Sequence, residues 1–262
     1  MSTPSSAVLR DQVYDELGAL IRGGQFAPGE KITIRSLAKD FSVSPTPVRE
    51  ALYRLISEGV LQGEANRSAF IPLLRPQQIT ELKDIRLHIE CFAAERAALR
   101  GTTEIAARLR ETSVKLKKAR AAGNRRADLA LVYTFQCELY AACEMPNLIR
   151  IINSLWLKTG PYLNLLFPHY IFGVLTDRGD WRERIAAGVE NRDTAAVVEE
   201  VKQGVDQSLT YIANIIAAAA MLKTAGGKLL PSPVTRLRGQ SLTLDSVTDS
   251  RLSFGGSVGR AD

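Results

Sequence analysis

Residues 28–55 read PGEKITIRSLAKDFSVSPTPVREALYRL, two short apolar-periodic stretches with only a tight turn between them. That spacing leaves little choice but two short helices packed on each other. In the first, from Thr33 to Phe41, Ile34, Leu37, Ala38 and Phe41 share one face, and Ser42-Val43-Ser44 supplies the turn. Ser44 is placed to cap the second helix, and Pro45 and Pro47 fall in its first turn, where a missing N–H costs little. Val48, Leu52, Leu55 and Ile56 then recur at helical spacing, a stripe that needs cover from the first helix and from Val13, Leu17 and Leu20 upstream. The opposite face keeps Thr46, Arg49 and Tyr53 free. An arginine fork and a hydroxyl at a helix N-terminus suit a phosphate backbone and a major groove.

After Gly59, two short extended runs, Val60-Leu61-Gln62 and Ala69-Phe70-Ile71, flank a polar turn from Gly63 to Ser68. They read as a β-hairpin, a wing with Asn66 and Arg67 at its tip. Residues 8–75, through VYDELGALIRGGQFAPGEKI, VSPTPVREAL and the later SEGVL and NR segments, resemble the winged helix-turn-helix of the GntR superfamily. The resemblance implies DNA contacts from Arg35, Ser44, Thr46, Pro47 and Arg49, with Asn66 and Arg67 on the wing. Many members carry arginine where this chain has Pro45, which implies one contact fewer and an altered operator.

The length of 262 residues and 45% hydrophobic content suit two packed domains. The net charge of +6 suits nucleic acid, yet residues 1–75 hold nine Lys/Arg against eight Asp/Glu. Local placement of Arg35, Arg49 and Arg67 therefore matters more than the sum. Cys91, Cys137 and Cys143 form no CxxC pair and read as buried thiols in a reducing compartment. No signal-like leader and no run of ~18 apolar residues occurs, so a cytoplasmic protein without membrane attachment is expected.

Residues 76–222 show successive helical periods with breaks at Gly101, Gly123, Pro146 and near Gly173 to Gly179. Helices are expected at 77–99, 103–122, 127–144, 147–166, 180–190 and 194–222, the last two separated by Asn191-Arg192-Asp193. The fold class is mainly α: an N-terminal winged helix-turn-helix with a small β-hairpin, then an all-α antiparallel bundle. In the bundle's first helix Leu82, Ile85, Ile89 and Phe92 are expected inward. Arg86 and Glu90 are spaced for an intrahelical ion pair, worth about 0.3–0.5 kcal/mol if exposed. The Ala-rich run from Ile215 to Leu222 is expected to be buried.

IRLHIE, FQCELYAACEMPNL and RIAAGVENRDTAAV resemble the FadR-type (FCD) ligand-sensing domain. That resemblance implies a homodimer, a small organic effector inside the bundle, and ligand-driven repositioning of the DNA-binding domains. Many such domains hold a metal through an Asp, a His four residues later and two further histidines. The aligned positions here are Val132, Gln136, Arg182 and Gly204, which cannot form a transition-metal site, and His88 and His169 lie off the motif. No metal and no cofactor is expected. Arg182 instead offers a cation where a Lewis acid would stand, and with Arg86, Tyr133 and Gln136 it defines an expected pocket for an organic acid.

Enzyme signatures are missing: the chain has no G-x-S-x-G, H-E-x-x-H, P-loop or dinucleotide glycine pattern. The expectation is a DNA-binding transcriptional regulator, a homodimer on a double-stranded operator, with repression relieved by the effector. The alternative is an effector-independent DNA-binding dimer with a vestigial pocket. Residues 223–262, rich in Ser, Thr, Gly and Arg, read as a disordered tail.

Overall fold

The computed structural model describes residues 6–64, 68–167 and 179–224. The expectations attached to Asn66, Arg67, His169, the loop at 173–178 and the tail beyond Thr224 lie outside the described residues.

The N-terminal unit comprises α1 (Ser6–Arg22), β1 (Lys31–Ile32), α2 (Ile34–Asp40), α3 (Pro45–Ser57), β2 (Gln62–Glu64) and β3 (Ser68–Phe70). Thr33 caps α2, its hydroxyl oxygen accepting from the Ser36 N–H at 3.2 Å. Phe41 ends the helix, and Ser42 turns the chain with a φ of 54°. This left-handed residue makes the turn tight enough for α3 to fold back across α2. Val48, Leu52 and Leu55 on α3 are each 0% exposed and pack with Val13, Leu17, Leu37 and Phe41. Each such side chain contributes about 1.5–3 kcal/mol relative to an exposed one. Gly59, with φ 68°, then sends the chain into an antiparallel sheet of order β1-β3-β2, with Lys31 opposite Phe70 and Gln62 opposite that same residue.

The second unit is helical: α4 (Pro76–Leu99), α5 (Thr103–Ala121), α6 (Arg125–Ala141), α7 (Pro146–Thr159), a 3-10 segment (Gly160–Leu166), α8 (Trp181–Glu190) and α9 (Thr194–Thr224). Asn191 and Arg192 form the α8–α9 turn, and Asp193 accepts from the Ala196 N–H at 3.0 Å. Helix α9 lies antiparallel to α4, tied by Lys83 to Asp206 at 2.9 Å near one end and packed beside Cys91 and Val198 toward the other.

Three expectations about this unit are corrected. The helix expected over 147–166 stops at Thr159 and tightens into the 3-10 segment, because Pro161 has no N–H to continue the ladder and Gly160 lies against the carbonyls of Ile21 and Arg22. The buried face of α4 is Ile79, Arg86, Glu90, Ala93, Ala94, Ala97 and Ala98, and of the four side chains expected inward Ile89 packs, half-buried, against the core. The alanines let the α9 backbone approach closely, leaving Ile85 and Phe92 41% and 38% exposed. The Ala-rich end of α9 is not buried in this chain. Met221 is 72% exposed, since the 31-residue α9 outruns the 24-residue α4 that covers it.

The two units meet along α1. Leu157 of α7 belongs to the N-terminal core. Asn164, 1% exposed, donates from Nδ2 to the carbonyls of Gly24, Phe26 and Pro161 at 2.8, 3.1 and 2.9 Å. Gln25 donates to the Arg126 carbonyl at 3.1 Å and accepts from Arg126 Nε. Tyr162 donates to the Pro72 carbonyl at 2.8 Å, fastening the segment that joins the units.

Candidate DNA-contact surface and effector cavity

Helix α3 presents Ser44, Thr46, Arg49 and Tyr53 to solvent, and Arg35 is exposed in the first turn of α2. Ser44 occupies the N-cap position but makes no side-chain cap bond, a correction to the reading of it as the cap. The reason is local: Pro47 is the third helical residue and has no N–H for a capping hydroxyl to accept. The Ser44 hydroxyl is thereby left for another partner. Pro47 itself is buried, so it shapes the helix start instead of facing outward with Thr46 and Arg49. Of the first four residues of α3 only Thr46 and Val48 carry an N–H, which halves the donors that a helix N-terminus ordinarily offers to phosphate.

The far end of α3 is braced. Tyr14 of α1 donates to Glu58 at 2.6 Å, Arg54 Nε donates to Glu58 at 3.0 Å, and the Arg54 guanidinium lies 3.7 Å from the Tyr14 ring centroid. Burial and the adjacent Glu58 carboxylate push the Tyr14 phenol up to about 12. On the sheet, Lys31 sits 5.9 Å over the ring of Phe70, itself 38% exposed. This cationic and aromatic pair beside the wing escaped sequence reasoning because strand pairing, not sequence spacing, brings it together.

Inside the bundle, the four expected effector residues do not share a cavity. Arg86 is 3% exposed and its charge is taken by Glu90 on the next turn, Nε to Oε1 at 2.5 Å, while Nη1 donates to Thr159 at 2.8 Å. Tyr140 also donates to Glu90, at 2.7 Å, and the guanidinium stacks 4.2 Å from the Trp156 ring. The intrahelical pair expected from the spacing is therefore part of a buried network. Arg182 is 6% exposed, 4.0 Å from the Trp181 ring and 5.6 Å from that of Phe135. It lines a separate open cleft of about 190 Å³ with Leu116, Lys117, Arg120, Asp180 and Trp181. Within that cleft Lys117 pairs with Asp180, and Arg120 pairs with Asp128 at 2.9 Å.

Tyr133 and Gln136 do come together, lining a cavity of about 10 Å³ between α6 and α7 with Cys137, Tyr140, Ile149, Ile152, Asn153 and Trp156. The Tyr133 hydroxyl donates to Asn153 at 3.1 Å, and its ring lies 5.5 Å from that of Trp156. Gln136 Oε1 and Trp156 Nε1 are buried without a hydrogen-bond partner, an acceptor and a donor at one small void. Burial drives the Tyr133 phenol far above its ordinary range and raises the Cys137 thiol to about 11, so both stay neutral. All three cysteines are free thiols.

A metal does not fit the positions at which many domains of this kind hold one. Val132 packs on the core, Gln136 lines the small cavity, Arg182 stacks on rings, and Gly204 has no side chain. Among the described residues no three His, Cys, Asp or Glu side chains gather at metal-binding distance.

A buried-stripe helix held across a second helix, with hydroxyls and an arginine on its free face and a three-stranded wing beside it, defines a winged helix-turn-helix DNA-binding regulator. The family model for bacterial regulatory proteins of the gntR family matches residues 9–71, and that for the FCD domain matches residues 81–207. The chain is 31% identical over 156 residues to the HTH-type transcriptional regulator McbR of Escherichia coli K12, covering 60% of this chain and 71% of McbR. It is 24% identical over 186 residues to the HTH-type transcriptional repressor GlaR of the same organism, 69% and 84% of the two chains. The solved structure of E. coli McbR/YncC superposes with a TM-score of 0.72 at 25% identity, over 82% of this chain and 99% of that one. The chain belongs to the GntR family, with an FCD domain after its DNA-binding domain, and is a transcriptional regulator, not an enzyme. No helix among the described residues is long and apolar enough to cross a membrane.

Proposed function

We propose that this regulator is a cytoplasmic homodimeric repressor that grips a roughly palindromic operator through Arg35, Ser44, Thr46 and Arg49, with Asn66 and Arg67 reaching from the wing, and releases it when a small metabolite enters the FCD domain. One observation carries the DNA reading: the first turn of α3 exposes an uncapped hydroxyl, Thr46 and Arg49 on a helix whose other face is fully buried. The exposed Ile85 and Phe92 on α4 supply an apolar face for the second protomer, and repression follows the name of GlaR.

The metabolite binds without a metal. The organic-acid form of this reading places the acid in the cleft that Arg182 lines with Lys117 and Arg120. A second reading, a dimer with a vestigial pocket, is favoured by the 10 Å³ size of the cavity between α6 and α7, room for about one water. A duplex enriched by the protein from a random double-stranded pool tests the first reading. Arg49→Ala should weaken binding to that duplex at least about fivefold, as loss of a base contact worth about 1–3 kcal/mol requires, with the dimer and the melting temperature intact. Unchanged affinity would place the DNA contact elsewhere. A thermal-shift screen of organic acids and neutral metabolites decides the second, because a ligand of the native state raises Tm.

A further inference from the structure

We propose that Arg22, the last residue of α1 in the DNA-binding unit, reads the state of the α6–α7 cavity through the ring of Tyr133, so that whatever opens this cavity repositions α1 and with it the DNA-contact helix. The proposal rests on the effector reading above and places the effector at the α6–α7 cavity, not in the Arg182 cleft.

The cavity holds no more than a water, so any organic ligand must displace a wall. The walls are not equal. Trp156 is pinned under the Arg86 guanidinium, and Tyr140 is bonded to buried Glu90. Tyr133 donates to Asn153, and it is the lining residue whose ring meets the other unit. The Arg22 guanidinium lies 5.4 Å from its ring centroid. Arg22 Nε is buried and makes no hydrogen bond, and the guanidinium faces the Tyr133 ring across the junction of the two units. Displacing the ring withdraws that cation–π contact.

Arg22 has little freedom to absorb that change locally. The next residues, Gly23 and Gly24, are pressed against Ala130 Cα and the Gly160 carbonyl, where an added Cβ would stand 3.5 and 3.1 Å away. Just before it, Ile21, and five residues back, Leu17, are 0% exposed in the core they share with Val48, Leu52 and Leu55 of α3. A close-packed core moves as a body or not at all. A shift of Tyr133 is thus delivered to the helix that carries Arg49 through one contact and two packed helices.

The test needs no ligand, because coupling between two sites is reciprocal. The probe is the duplex enriched from the random pool. Tyr133→Leu and Arg22→Gln should each change its affinity in the same direction by roughly fivefold or more, the lower end of allosteric coupling. The double variant should go no further than the larger single. Tyr133→Phe and Arg22→Lys, which keep the ring and the cation, should bind as wild type does, and circular dichroism confirms folding of each. In a Trp181→Phe background Trp156 is the sole tryptophan, and its emission should change when the duplex binds. With Arg22→Gln added, that change should vanish.

Wild-type affinity in folded Tyr133→Leu, additive effects in the double variant, or a Trp156 response that survives Arg22→Gln would each overturn the proposal. The effector reading fails separately: a screen in which no compound raises Tm removes the effector yet leaves a non-additive cycle standing. An additive cycle in a protein that does bind a metabolite removes the Arg22 route alone.

Discussion

Replacing Arg86 with methionine should destabilise the FCD domain far more than the loss of a helical i,i+4 ion pair normally does. The pair side chains are 4% and 0% exposed. Removing the guanidinium leaves the Glu90 carboxylate in the core with the Tyr140 hydroxyl as its described donor, and strips Thr159 of a 2.8 Å bond. Breaking a buried pair from one side costs about 3–5 kcal/mol, against about 0.3–0.5 kcal/mol for an exposed helical pair. Most of that cost is the uncompensated charge, so it should be recoverable. Arg86→Met with Glu90→Leu removes the charge but orphans the Tyr140 hydroxyl, a penalty of about 1–3 kcal/mol. Adding Tyr140→Phe should bring stability close to wild type, because an apolar replacement of a whole buried network is often neutral. Urea unfolding at neutral pH, followed by far-UV circular dichroism, measures all three. A loss below about 1 kcal/mol in Arg86→Met would mean that the network is hydrated. A triple variant no more stable than the single would show that the cost was packing, not charge.

Gly160→Ala should loosen the docking of the two units. Its Cβ would meet the Ile21 carbonyl at 2.7 Å and come nearer still to that of Arg22, so backbone must move at a cost of about 1–3 kcal/mol, visible as faster proteolysis after Arg22. Glu138→Gln should raise Tm at neutral pH. Burial raises the Glu138 carboxyl, outweighing the Thr112 hydrogen bond that lowers it, and its Oε2 is buried without a partner. With the folded value above the unfolded one, the wild type gains stability as pH falls between them, so the advantage of the amide should shrink on acidification and vanish below the ordinary carboxyl range. Ile85→Glu with Phe92→Glu should give monomers by analytical ultracentrifugation and weaken operator binding while the monomer stays folded, since both side chains are already more than a third exposed in the single chain.

Periodicity located almost every helix, because the apolar spacing that defines an amphipathic helix is a local property. It failed where a neighbour, not the local pattern, decides. Helix α4 has apolar residues on two sides, and small alanines win the inner one through the close approach of α9. Leu82, Ile85 and Phe92 looked like the core face only because size was read as burial, whereas Ile89 does pack against the core. The break at Gly160 was legible in principle from Gly-Pro, yet its reason, the Ile21 and Arg22 carbonyls, lies far away in sequence. Ser44 fits every composition rule for a cap, and only the proline three residues on cancels it. In the effector region, spacing placed Arg86 and Glu90 together but said nothing of their burial. Arg22, Asn153 and Asn164 carry no motif, and the contacts that single them out form only when α1, α7 and the 3-10 segment meet.

The seam between the units is built so that it can shift without either core melting. Leu157 reaches across it into the N-terminal core, and hydrogen bonds from Asn164, Gln25, Arg126 and Tyr162 tie its edges. Asn164 Nδ2 has two hydrogens for three carbonyl acceptors, so at least one of those bonds is shared and weak. At a net ~0.5–1.5 kcal/mol per bond, the seam is worth a few kcal/mol, the scale on which a ligand's preference for one state acts. The α1–α3 core is different in kind: its residues are 0–7% exposed, and truncating one costs about 2–5 kcal/mol. On the proposed route a ligand preference of this size suffices to move α1 against α6 and α7 but not to separate α1 from α3, so the DNA-contact helix would travel with Arg22 as one body.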